Sequence, residues 1–439
     1  MRLRPSSSVT LYLAVRSIEL SSQIEQPQNP GVTSINSTTN HERSDIETDI
    51  LVVGAGIAGS ALACALRNSG LKITLIDKSD EPLDTARGDH LQPHTCEVLE
   101  RWGVLDEFFK HGAEKRMGAI WYSSAGEEIL RSSVADLDVP HPYFLFINHE
   151  DIASILMDAA LEDECINVIR PIRNCWFEHT DDGLHQTRVA LPDGGEVFVK
   201  SKVIIGADGR NSRVRKAFDL AATSNRYERS IAVLFATLTE PDPDGFLKVY
   251  MNDTATVSVI PRTGGHCKIG IPMAPAEANS WRKASAAELV EKVAQLAPSI
   301  SVTGIRYADI YPPVHLQAAA WVSGTVGLIG DACHAMHPAR SQGMNISIRC
   351  VDSLAQHLLG AGRPLHAAAA AKALAAYEQA TKPPIDATLA DNHRAGLQMD
   401  QTNAQSNQGL QKSLQAVQAD PAVLRAYTLS AAGYDNTLS

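Results

Sequence analysis

Short apolar runs alternate along the chain with alanine-rich or amphipathic stretches, and their spacing predicts the elements. Asp49-Ile-Leu-Val-Val53 places four apolar residues in a row, the mark of a strand buried on both faces. Gly54-Ala-Gly-Ile-Ala-Gly59 follows, then an alanine-rich helix over Ser60–Ser69 that Gly70 stops at its C′ position. Lys72-Ile-Thr-Leu-Ile76 predicts a second strand, closed by Asp77. A third apolar run, Val203-Ile-Ile205, leads through Gly206 into an Asp208-Gly209 turn, with Ser212 able to cap the helix that follows. Ser230–Thr239, Phe246–Met251, Ala255–Ile260 and Cys267–Ile271 read as strands, punctuated by Asn252-Asp253 and Thr263-Gly-Gly265. Ser285 and Glu288 form a capping box ahead of an apolar stripe, Leu289, Val293 and Leu296. Further on, Thr325-Val-Gly-Leu-Ile329 predicts a strand, Gly330-Asp331 a turn, and Ile346–Leu359 a helix. An alanine-rich helix over His366–Tyr377 is expected to be interrupted at Pro383-Pro384. Ile385–Met399 continues as a packing helix, and a polar tail ends the chain.

Composition narrows the class without naming a chemistry. The 439 residues are enough for two or three domains, and 44% apolar with 20% charged residues is ordinary for a globular protein. A net charge of −11 lacks the basic footprint of a nucleic-acid binder. Seven cysteines form no CxxC pair and read as buried, reduced thiols; no zinc site is expected. No run of eighteen apolar residues predicts a spanning helix. Residues 1–48 are expected to be a disordered or targeting extension. Arg2, Arg4 and Arg16 precede the first acid, Glu19, and Ser21–Thr48 is rich in polar residues. The expected compartment is cytoplasmic, with a mitochondrial presequence as the alternative reading of that basic start.

The strand–glycine–helix–strand unit carries the first chemistry. Gly54 permits a tight turn, Gly56 lets a pyrophosphate approach the backbone, and Gly59 lets helix and strand pack closely. The helix start at Ile57 and Ala58 offers amides and a positive dipole end to a phosphate. Asp77, eighteen residues after the third glycine and followed by Lys78, can accept hydrogen bonds from a ribose diol. An acid there favours FAD or NAD over NADP, whose 2′-phosphate it would repel. The unit by itself leaves FAD and NAD both open.

Three motifs in order, the GxGxxG unit, Gly206-Ala-Asp-Gly209 and Gly330-Asp331, together resemble the class A flavoprotein monooxygenases. These include para-hydroxybenzoate hydroxylase and the ubiquinone-biosynthesis hydroxylases. The resemblance runs from about Asp49 to Ala380. It implies that FAD is the cofactor, with its ADP half on the GxGxxG unit. It also implies Asp208 near the pyrophosphate, Gly330 and Asp331 on the ribityl chain, and Arg87 and His149 facing the cofactor. Gly343, Met344 and Asn345 would bring amides to the flavin pyrimidine edge. A helix beginning near Met344 would then point its positive end at charge developing on the reduced ring.

Two positions depart from the resembled pattern. Ser341 stands where a glycine is usual, and a serine there is expected to hold a negative φ. Cys350 stands where an aspartate is common, with Asp352 two residues on. Tyr227, Tyr250 and His266 are polar candidates for the substrate pocket but read better as structural residues. His334 is expected to pack beneath the Gly-Asp turn.

The expected fold is α/β. A Rossmann-like FAD-binding domain over 49–225 and 305–360 would carry an inserted mixed β-sheet substrate domain at 226–304, with a C-terminal helical segment and tail at 361–439. The resemblance implies an enzyme that spends NAD(P)H, as a transient co-substrate, and O2. Through a C4a-hydroperoxyflavin it would hydroxylate or epoxidise a small electron-rich substrate: a phenol, a quinone precursor, a polyketide or a terpenoid. No catalytic acid or base is assigned from sequence. The halogenase Trp-x-Trp-x-Ile-Pro signature is absent. A reductase of isoprenoid double bonds and a non-catalytic flavin-binding protein are the alternatives.

Overall fold

Five parallel strands stop at one level, and that level is where the site forms. A computed structural model describes residues 44–81, 89–180, 183–239, 245–252, 255–297, 300–400 and 403–434. Its first sheet has eight strands. The parallel core runs in the order Val326–Leu328, Glu196–Gly206, Ser44–Val53, Ile73–Ile76 and Ile166–Ile169. Register aligns their carboxyl ends: Leu328 pairs with Gly206, Gly206 with Val53, Val53 with Ile76, and Ile76 with Ile169. Ile50, Leu51, Val52, Ile73, Leu75, Val203, Ile204 and Ile205 are fully buried. That is why these strands read as unbroken apolar runs. On one side the helix Ile57–Leu66 packs against His149–Leu161 and Gly343–Leu359.

The second sheet has seven strands in the order Val302–Tyr311, Ser230–Leu238, His266–Met273, Thr256–Pro261, Leu247–Met251, Gly118–Tyr122 and Glu128–Ser133. It therefore draws two strands from 118–133 and one reaching Tyr311, outside the 226–304 stretch expected to supply it. Alternation divides its faces. Leu234, Ala236, Val257, Ile269 and Ile271 pack toward the helix Ala286–Leu296, whose expected capping box forms at Ser285 and Glu288. The intervening residues Ile231, Val233, Ser258, Ile260 and Gly270 face a cavity shared with the first sheet.

Several expected boundaries move. The first strand starts at Ser44, inside the stretch read as linker. The glycine-motif helix starts at Ile57, within the motif, and the last motif's helix at Gly343. Pro383 and Pro384 do not interrupt their helix, which runs unbroken over Ala367–Asp400. Tertiary contact outweighs the lost amide bonds: Thr381, Ile385 and Leu389 are buried, and the Thr381 and Ser353 hydroxyls meet at 2.9 Å. The expected polar tail instead forms two helices, Ala404–Ala419 and Pro421–Ala431, capped by the side chains of Asn403 and Asp420. No helix of the described residues is long and apolar enough to cross a membrane.

One buried carboxylate ties the second sheet to the loop before the strand His90–Leu91 and to the start of the helix His149–Leu161. Asp89 precedes the short strand His90–Leu91 and meets Lys268 Nζ at 2.8 Å and Arg262 Nε at 3.2 Å, all three nearly fully buried. The amide of His149 also donates to it, at 3.1 Å. Both cations rise from the second sheet and lie over the Phe235 ring. Asp89→Asn strips the charge that compensates them, so stability should fall by roughly 3–5 kcal/mol. Denaturant unfolding would check this, and a midpoint unchanged from the parent would show that the network does not hold the second sheet in place.

Candidate active site

At the nucleotide end, backbone geometry gives each glycine a separate role. Gly54 has φ +107°, and a Cβ there would collide with the Ala207 carbonyl oxygen. A Cβ on Gly59 would collide with the Gly54 carbonyl oxygen, so the helix closes on the strand only with glycine. A Cβ on Gly56 would meet nothing within 4 Å, because this residue faces the cavity. Ile57 and Ala58 line the cavity beside it. The Asp77 carboxylate accepts from the Ala55 amide at 2.6 Å and the Ser79 amide at 2.7 Å. These bonds hold the acid on the cavity wall at the end of its strand. Lys78 is exposed and is not part of the lining. Arg87 lies outside the described residues. His149 is buried, begins its helix and lines the cavity.

The Asp-Gly and Gly-Asp turns come together above the ends of their neighbouring strands. Ala207 and Gly209 line the cavity, whereas Asp208 does not. The Asp208 carboxylate instead accepts from the Arg213 amide at 2.6 Å and the Val214 amide at 3.3 Å, fastening the turn to the next short helix. Arg215, six residues beyond the turn, is buried and spans both motifs. It donates to the Ala332 carbonyl at 2.7 Å and the Arg210 carbonyl at 2.9 Å. Gly330 has φ +59°, and a Cβ there would press to 2.9 Å from the Ala58 Cβ. The glycine thus lets the two cofactor motifs touch. Asp331 is half-buried on the cavity wall.

The third motif corrects one expectation and divides another. Ser341 has φ +52°, in the left-handed region, rather than the negative φ expected of a serine. Two bonds hold it there: its amide donates to the Pro338 carbonyl at 3.0 Å, and its carbonyl accepts from Asn345 Nδ2 at 3.2 Å. Gly343 and Met344 line the cavity at the start of a 17-residue helix. Asn345 does not line it. Fully buried, Asn345 accepts from the Gln92 amide at 2.8 Å and donates to the His90 carbonyl at 3.3 Å, bracing one loop against another.

Sequence reasoning gave no site role to Gln342 or His337. Gln342 lines the cavity, and its buried Oε1 has no partner among the described residues. Its place between Ser341 and Gly343 was the available signal. His337 also lines the cavity, and burial pushes its pKa down to about 4. Its Nδ1 accepts from the Ala339 amide at 3.1 Å, so the neutral ring carries its proton on Nε2. His334 packs against Trp321 beneath the turn, as expected, and burial lowers it to about 4. Tyr250 is buried and stacks on Tyr122, Tyr227 meets His393 at 2.8 Å, and His266 meets Thr237 at 3.2 Å. None of these last three residues lines the cavity.

The result is a single cavity of about 790 Å3 with two chemically distinct ends. One end offers bare amides, a helix start and the acids Asp77 and Asp331. The other offers an apolar sheet face. The open space at Gly56 and the unpartnered Gln342 oxygen fit an extended dinucleotide that ends in a polar ring. No group of His, Cys, Asp and Glu among the described residues could hold a metal ion.

Comparison with known proteins agrees with this geometry. A family profile described as "FAD binding domain" matches residues 47–391. The chain is 27% identical over 344 residues to 6-hydroxynicotinate 3-monooxygenase of Bordetella bronchiseptica, covering 73% of this chain and 85% of that protein. It is 25% identical over 326 residues to 3-demethoxyubiquinol 3-hydroxylase of Escherichia coli, covering 72% and 80%. Among solved structures, p-nitrophenol 4-monooxygenase of Pseudomonas putida superposes with a TM-score of 0.76 at 19% identity, covering 88% of this chain and 98% of that one.

Two variants test the cofactor end. Gly56→Val should fold normally, since a Cβ there meets no protein atom within 4 Å, yet purify without flavin. A normal flavin band in that variant would remove the role given to Gly56. Asp331→Ala should weaken FAD binding by about 1.5–3 kcal/mol, the usual worth of a hydrogen bond to a charged group. Titration of the apoprotein with FAD would measure this, and unchanged affinity would place Asp331 outside the contact.

Proposed function

We propose that this chain, which belongs to the class A FAD-dependent monooxygenase family, uses NAD(P)H and O2 to hydroxylate or epoxidise a small electron-rich organic molecule. The observation that carries this reading is the continuity of the cavity. It runs from the amides at Gly56 to an apolar sheet face, with Gly343 and Met344 between them. Relatives act on ring compounds by their names, a hydroxynicotinate and a demethoxyubiquinol, which supports a ring-bearing substrate here.

Bound FAD supplies the redox and oxygen chemistry, and NAD(P)H is the co-substrate typical of the family. The chain's own groups hold and shield. Amides at the start of the helix Ile57–Leu66 would receive the pyrophosphate, Asp77 a ribose diol and Asp331 the ribityl hydroxyls. The start of the helix Gly343–Leu359 would offer its positive end to negative charge on a reduced ring bound here, a preorganised donor that needs no movement. Ile231, Val233, Val249 and Ile260 exclude water from the other side. His337, neutral with its proton on Nε2, can donate at the loop beside this wall. Asp89 and Glu150 together balance the charges of Lys268 and Arg262 within the wall.

A panel of phenols and quinone precursors should include members that stimulate NAD(P)H oxidation, with O2 consumed in step and little peroxide released. Product formed without O2 would instead identify a reductase. If no compound accelerated oxidation, the chain would bind flavin without this catalysis.

A further inference from the structure

The family match ends at residue 391, but the cavity wall does not. Leu410 and Leu414, on the helix Ala404–Ala419, and Tyr427, on Pro421–Ala431, line it as well. Leu410, Leu414 and Val417 fall at i, i+4 and i+7 and form one apolar stripe. Together with Leu424 and Tyr427 they pack on Ile129, Leu130 and Met251 of the second sheet. The helix pair is tied down along its length. Ser132 and Thr428 share a hydroxyl bond at 3.0 Å, and Gln418 accepts from the Arg131 amide at 2.8 Å. Gln92 donates to the Ala431 carbonyl at 3.0 Å, and Arg349 to the Gly433 carbonyl at 2.7 Å. These contacts reach both halves of the molecule, so the pair is a fixed wall of the pocket.

The chemistry of that wall is apolar and uncharged. Lys268 is the cation on the facing sheet surface, yet it is 2% exposed and its charge is turned onto Asp89 at 2.8 Å. Arg340, also on the lining, is exposed to solvent, where pairing with an anion gains little. Tyr427 on this wall carries a phenol hydroxyl that can donate a hydrogen bond. A carboxylate entering here would lose its hydration without a buried cation facing it. A neutral ring carrying one acceptor oxygen would lose nothing comparable.

We infer that the helix pair over 404–431 determines substrate choice, and that it selects an uncharged, apolar ring compound over its carboxylated counterpart. This rests on the monooxygenase reading for the identity of the pocket, but its test needs no turnover. The FAD-loaded full chain is titrated with 2-naphthol and with 3-hydroxy-2-naphthoate, following the flavin absorbance spectrum. Naphthol should bind more tightly by about tenfold or more. Leu410→Trp and Leu414→Trp should each weaken naphthol by about tenfold or more while leaving flavin content unchanged. Leu410 is half-buried, so its variant keeps the test available if Leu414→Trp fails to fold. Equal or tighter binding of the carboxylate, no binding of either compound, or unchanged naphthol affinity in the folded tryptophan variants would overturn the inference. Absence of NAD(P)H oxidation alongside the expected binding pattern would count against the monooxygenase reading alone.

Discussion

The shared stopping level of five parallel strands is the constraint from which the site follows. Each strand emits its loop at the same edge, so residues far apart in sequence become neighbours there. Val53 releases the glycine turn, Ile76 releases Asp77, Gly206 releases the Asp-Gly turn, and Leu328 leads to Gly330 and Asp331. A shift of any strand by one residue would exchange its two packed faces and move its loop off the edge. Close contact then sharpens the arrangement. Gly54 passes against the Ala207 carbonyl and Gly330 against Ala58, so glycines appear where two loops must nearly touch as well as where a ligand must approach. Arg215 closes the set by bonding carbonyls of two different motifs.

The second sheet has to be held at a fixed distance from that edge, and a buried charge cluster does it. Ions removed from water cost several kcal/mol each, and only close pairing and further hydrogen bonds recover that cost. Asp89 meets the condition, with two cations and an amide on one carboxylate. The net gain over an apolar contact of equal volume is small by this reasoning. What the cluster adds is position: two cations from one sheet are paired where Asp89 and Glu150 lie. The wall of the cavity is thereby fixed in place, although its own surface is mostly featureless and apolar.

Much of this was legible in the sequence, for identifiable reasons. The first strand–helix–strand unit is local, and its glycines, apolar runs and terminal acid occupy consecutive positions. The same holds for the Ser285 capping box. Asp89, Lys268 and Arg262 were not legible, because their pairing depends on two elements nearly two hundred residues apart meeting across a sheet interface. Pro383 and Pro384 misled for the opposite reason. Their local preference is strong, but burial of Thr381, Ile385 and Leu389 keeps the helix continuous. The C-terminal helices were missed because their apolar stripes are sparse and their stability comes from the sheet they cover. Asp208 and Asn345 lie in the expected neighbourhood but act differently there, since both brace the loops while their neighbours line the cavity.

Ser341 shows how such bracing bears on function. A left-handed serine costs roughly 1 kcal/mol, more than the glycine usual at this turn. The cost is met locally, by the Ser341 amide on Pro338 and by Asn345 on the Ser341 carbonyl. Asn345 also reaches His90 and the Gln92 amide, and Gln92 in turn donates to Ala431 of the last helix. A continuous set of hydrogen bonds therefore links the Ser341 turn to the helix pair that covers the apolar end of the cavity. The strain at Ser341 is tolerable because this set over-determines the turn. In this chain the Ser341 turn and the far wall of the cavity are parts of one hydrogen-bonded frame.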